Sequence, residues 1–125
     1  DGQDTFWIGK AYLGDHSSGA NQLTITDFTH GVDTLRLGIS ASSTAPVTLN
    51  TMTATASDTL ATLLNKASLA GSAATPTLTQ FEFAGNTYLV LDQNSAATFT
   101  ASTDLAISLT GTPGLTLSDV VFAAV

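Results

Sequence analysis

Outside one segment, the apolar residues of this chain recur two positions apart in short pairs: Phe6/Ile8, Leu23/Ile25 and Leu35/Leu37, each after a turn bearing Gly or Asn/Asp. Side chains of an extended strand alternate faces, so a period of two buries one side and wets the other. Pairs this short predict short strands. Further on, Phe81-Glu82-Phe83 and Thr87-Tyr88-Leu89-Val90-Leu91 flank Ala84-Gly85-Asn86, the pattern of a β-hairpin, with Glu82 turned to solvent by the alternation. A second hairpin is expected from Thr98-Phe99-Thr100 and Leu105–Leu109, before Gly111, Pro113 and Gly114 break the pattern. Residues 40–56, rich in Ser, Thr and Ala, read as a connection or an irregular edge strand around Val47 and Leu49.

The exception is Ser57–Ala70, where Leu60, Leu63, Leu64 and Ala67 fall at i, i+3, i+4 and i+7 and form one apolar stripe of a helix. Ser57 is placed to cap its first turn, Asp58 and Lys66 suit the two ends of the helix dipole, and Gly71 suits a left-handed exit. The stripe is expected to pack against Phe81 and Phe83. The expected fold is therefore mainly β: short β-roll-like coils at the start lead into an antiparallel β-sheet or sandwich packed with one α-helix at about 57–70. All of it forms a single domain over 1–125, with degenerate repeat-like strands in 1–37 and antiparallel hairpins and a tail in 78–125.

Charge narrows the function classes. Ten acidic residues stand against three basic ones, Lys10, Arg36 and Lys66, which lie far apart in sequence. No basic patch can be built from them, so nucleic acid is an unsuitable partner. The longest apolar run, Val120–Val125, is far short of the roughly 20 residues that span a bilayer, so no membrane span is expected. Without cysteine there are no disulfides, thiolate metal sites or cysteine nucleophiles. Hydroxyl side chains take the place of charges, a composition that fits an exported bacterial surface protein. No charged-then-apolar segment opens the sequence, so any export address is expected elsewhere, and the carboxyl end is the place to look.

Gly2-Gln3-Asp4-Thr5-Phe6 has the form G-x-D-x-U, U being a large apolar residue; Gly31-Val32-Asp33-Thr34-Leu35 repeats it and Gly19-Ala20-Asn21-Gln22-Leu23 varies it with Asn. Gly allows a tight turn that exposes carbonyls, Asp places a carboxylate beside them, and U enters a core. Such oxygen donors suit Ca²⁺, with Asp4, Asp27 and Asp33 as candidate ligands; the plainer alternative is an Asx-turn leading into a strand. Asp92-Gln93-Asn94, with Asp104 further on, reads as a polar hairpin loop. Catalytic patterns are poor: Asp15-His16-Ser17 are sequence neighbours, which rarely face one another, and His30 reads as a turn histidine. A non-enzymatic domain is expected.

G-x-D-x-F is similar to the second half of the repeats-in-toxin nonapeptide, and Leu23-Thr24-Ile25-Thr26-Asp27-Phe28 through Gly31-Val32-Asp33-Thr34-Leu35-Arg36-Leu37 resembles the segment closing such arrays. Gly85–Asp92, Ala97-Thr98-Phe99, Asp104–Gly111 and Leu115-Thr116 resemble the carboxyl-terminal domains of type I-secreted, surface-layer-like bacterial proteins. The resemblance implies a non-enzymatic cap and secretion-targeting domain of a larger calcium-dependent protein, extracellular or on the bacterial surface. Its implied partners are a type I exporter and the preceding repeat region of its own parent chain, with weak or partial Ca²⁺ binding in this segment. Asp119, Val120, Val121 and Phe122 resemble the acidic-then-apolar ending of such secretion signals. The alternative is a surface module that binds a glycan or partner protein through Trp7 with Tyr12.

Overall fold

The computed structural model describes residues 2–8, 23–69, 71–100 and 103–124. Among the described residues eight short strands form two sheets, accompanied by one α-helix and a single 3-10 turn at Leu117–Asp119, a mainly β architecture. The first sheet is parallel throughout, in the order β1 (Thr5–Ile8), β3 (Thr34–Ile39), β8 (Val120–Ala124). The second runs β2 (Leu23–Ile25), β7 (Leu105–Leu109), β6 (Asn86–Asp92), β5 (Thr77–Phe83), β4 (Leu49–Thr51). Here β5, β6 and β7 pair antiparallel, while the outer strands β2 and β4 pair parallel to their neighbours.

Alternation assigns each face. Leu35, Leu37 and Ile39 of β3, with Ile8 and Val120, meet Leu78, Leu89, Leu91, Leu105, Ile107 and Leu109 of the second sheet in one buried core. The residues between them, Phe81, Tyr88, Val90 and Ala106, face the opposite way into a second cluster with Leu63, Leu64 and Ala67 of the helix α1 (Leu60–Ala67). The layers are thus sheet, sheet, helix. Phe81 and Tyr88 are direct cross-strand partners and stack at 5.3 Å, so the helix packs on an aromatic surface as its stripe requires.

Several local expectations are corrected. The helix is shorter than 57–70 and is capped by Thr59, whose side chain accepts from the N–H of Thr62; Ser57 does not cap it. The reason lies just upstream, where Asp58 accepts from the N–H and hydroxyl of Thr55 and closes a separate turn. Gly71 is not a left-handed exit: the helix ends at Ser68, and Gly71 is needed because its N–H reaches Asp92 Oδ2 at 2.7 Å and a Cβ there would collide with the Asp92 carboxyl and backbone oxygen. The β5–β6 hairpin forms as expected, its turn made by Ala84 and Gly85 at φ 53° and 83°. The second expected hairpin does not: Thr98–Thr100 is not a strand, and β7 pairs with β6 and β2 instead. Of the two readings of residues 40–56, the edge strand is realised as β4.

The β2–β3 and β7–β8 connections lie one on the other, since β2 is parallel beside β7 and β3 parallel beside β8. β1 adds outside β3. Both sheets therefore build in the same direction, and β1 and β2 are the outer strands at one end. Among the described residues nothing pairs with their outer edges.

Candidate functional site

Four strands are each entered from an aspartate: Asp4, Asp33, Asp104 and Asp119 directly precede β1, β3, β7 and β8. Asp favours such places because its carboxylate takes up N–H groups that the turn leaves without a partner. Three of the four repeat one geometry. Thr29 donates its N–H to Asp33 Oδ2 at 2.7 Å, and the Asp33 N–H returns to the Thr29 carbonyl at 2.9 Å. Thr100 and Asp104 do the same at 2.7 and 2.8 Å, and Thr116 and Asp119 at 2.9 and 3.0 Å.

The other oxygen of each carboxylate reaches a distant segment. Asp33 Oδ1 accepts from the N–H of Asp4 at 2.9 Å, Asp104 Oδ1 from that of Gln93 at 2.9 Å, and Asp119 Oδ1 from that of Gly31 at 3.0 Å. Asp92 joins the group, accepting from the N–H of Gly71 at 2.7 Å and of Asn94 at 3.4 Å. These are the buried aspartates among the described residues, and each accepts two backbone N–H groups. Unpaired carboxylates would not be tolerated at such depth.

Their ionisation differs with their surroundings. Burial pushes the Asp92 carboxyl up, and the adjoining Asp104 carboxylate adds to the rise against the pull of the Gly71 and Asn94 N–H groups. Burial also works to raise Asp119, but the N–H groups of Thr116 and Gly31 and the imidazole of His30 outweigh it and hold the carboxyl below its ordinary value. On the surface, the ammonium of Lys66 at 2.7 Å, followed by the Thr55 N–H, holds Asp58 at about 2.

Asp4, Asp27 and Asp33, the candidate calcium ligands, line one surface hollow with Phe28, Thr29 and Val32. Asp4 and Asp27 are exposed, while buried Asp33 has an N–H on each oxygen. Calcium takes six to eight oxygens converging on one point, and among the described residues no group of three or more acidic or histidine side chains converges that way. The Asp33 carboxylate is held by an N–H group on each of its oxygens.

Of the secretion-signal residues, Asp119 and Val120 are buried, Val121 is 47% exposed and Phe122 is half-buried, all at the entry to or within β8. Trp7 is 46% exposed, with the Arg36 guanidinium 5.0 Å from its ring centroid. Register places Trp7, Arg36 and Val121 in one row across the first sheet. Tyr12 and Asp15-His16-Ser17 lie outside the described residues. Asn94 donates to Asp104 Oδ1 at 2.9 Å and its own oxygen accepts from Ala96, as a polar loop does.

The sequence reading missed the shared role of Asp33, Asp104 and Asp119. A signal for it exists: Phe28-Thr29 and Phe99-Thr100 each end four residues before an Asp and Leu115-Thr116 three, and in each case a strand follows. No helix among the described residues is long and apolar enough to cross a membrane. The chain matches no family model and no curated protein.

Proposed function

We propose that this domain is the non-enzymatic carboxyl-terminal cap and secretion-targeting module of a larger calcium-dependent protein that is secreted or displayed on a bacterial surface. One observation carries the reading: successive coils stack in parallel, and the stack has β1 and β2 as its outer strands at one end, where a further coil of the same geometry can add its own strands. In this reading the preceding repeat region of the parent chain supplies that coil. The acidic-then-apolar residues Asp119–Phe122 serve as the address for a type I exporter, recognised while the segment is unfolded, before β8 enters its sheet.

The test fuses residues 1–125 behind a passenger in cells with a matched type I exporter and compares Val121→Asp with Leu63→Ala. Val121 is outward-facing, so the charge spares the core, whereas Leu63 is fully buried. Loss of release with Val121→Asp and retention with Leu63→Ala is expected. Equal release of wild type and Val121→Asp overturns the address.

A second reading, a surface module for a glycan or partner protein, is favoured by the exposure of Trp7 beside Arg36, residue types that dominate binding hot spots. A ligand-dependent shift in Trp7 fluorescence that Arg36→Ala abolishes would support it. An unchanged spectrum across a glycan panel and candidate surface proteins counts against it.

A further inference from the structure

We infer that the stacked coils of this domain are clasped by aspartate-to-backbone hydrogen bonds in place of bridging metal ions, so that the domain folds and keeps its stack with divalent cations removed. The inference stands apart from the export reading and survives its failure.

The argument rests on a relation that recurs from one coil to the next. The first sheet is built by laying β3 beside β1 and β8 beside β3. At each addition the aspartate entering the new strand reaches the turn that enters the old one: Asp33 to the N–H of Asp4, and Asp119 to the N–H of Gly31. A cation held between neighbouring turns by these aspartates would have to share the same carboxylate oxygens. A carboxylate needs positive charge to be buried, and a metal ion or a set of aligned N–H dipoles can supply it. Here Asp33 and Asp119 each receive one N–H from their own turn and one from the neighbouring turn, at 2.7 to 3.0 Å. Donors directed at both oxygens oppose the approach of a cation along the same directions. The same local clasp at Asp104, which ties β7 to Gln93 just past β6, shows that the arrangement is not confined to the Gly-Asp turns.

The experiment melts the 125-residue chain in millimolar EDTA and in millimolar CaCl₂, follows it by circular dichroism, and measures amide hydrogen exchange in EDTA. Expected is a melting temperature that differs by less than about 3 °C between the two solutions, with the amides of Asp4, Thr29, Gly31 and Thr116 protected in EDTA. Asp119→Ala should lower the melting temperature by about 10 °C, equally in both. Should Asp119→Ala fail to fold, Asp33→Asn, which keeps one acceptor oxygen, gives the same comparison with a smaller drop. A wild-type melting temperature that falls by about 10 °C or more in EDTA, or loss of protection at the Asp4 and Gly31 amides, overturns the inference.

Discussion

His30 and Asp119 stand 89 positions apart in sequence, yet Nδ1 of the imidazole lies 2.6 Å from Oδ2 of the carboxylate. The pair joins the turn before β3 to the entry of β8, with the histidine side chain 44% exposed and the aspartate 3% exposed. The Asp119 carboxyl is held below its ordinary value of 3.8, so its stabilising contribution is complete above that value and is lost as pH falls through the lower, folded-state value. Asp119→Asn should therefore flatten the loss of stability below about pH 4, measured as urea midpoints along an acid series. His30→Ala, at the exposed side of the pair, should cost no more than about 1 kcal/mol at neutral pH.

Asp92 should behave in the opposite sense. Its folded-state value lies above 3.8, so the stability it contributes is complete below that value and is lost as pH rises through the folded-state one. Asp92→Asn keeps an oxygen for the Gly71 N–H and carries no charge beside Asp104. Relative to wild type, this variant should gain stability as pH is raised from 4 to 7. Asp92→Ala strands the Gly71 N–H and should lose roughly 1–3 kcal/mol. Denaturant midpoints at the two pH values read both variants.

The helix tests the second cluster. Leu63 is fully buried against the second sheet, and Leu63→Ala should cost roughly 2–5 kcal/mol in urea unfolding. A loss below about half a kcal/mol would show that the helix is not packed there.

Gly71→Ala tests close approach. A Cβ at this site meets the Asp92 backbone oxygen and carboxyl, so a loss of at least roughly 1–3 kcal/mol is expected. At Gly114 a Cβ meets nothing, and only its φ of 78° resists substitution, for about 1 kcal/mol. Thermal melts of the two variants should separate them in that order.

Local patterns foretold what local forces decide. The stripe Leu60/Leu63/Leu64/Ala67 and the β5–β6 hairpin each carry their geometry within a short window, and both form. Leu105–Leu109 is buried at every position, so alternation there says nothing about which strands flank it. The parallel partnership of β3 and β8 joins segments too far apart for any spacing rule. Ser57 lost the cap to Thr59 because Asp58 and Thr55 closed their own turn first, a competition between similar short polar residues. In the candidate site, Asp33 was legible as an oxygen donor at a turn, but residue type does not distinguish a carboxylate aimed at a cation from one aimed at N–H groups.

The placement of β8 bears on the timing of folding. It is the last described strand, and it completes the sheet that the first strand begins, while β7, also late, supplies the partner of β2. Contacts of such long reach need large loops to close before any burial compensates, so they form slowly and late. A chain emerging amino end first has no edge for β3 to hold on its far side, and no partner for β2, until residues beyond Asp104 are free. During synthesis, therefore, neither sheet can be completed before the last strands have left the ribosome, and the two sheets close together at the end.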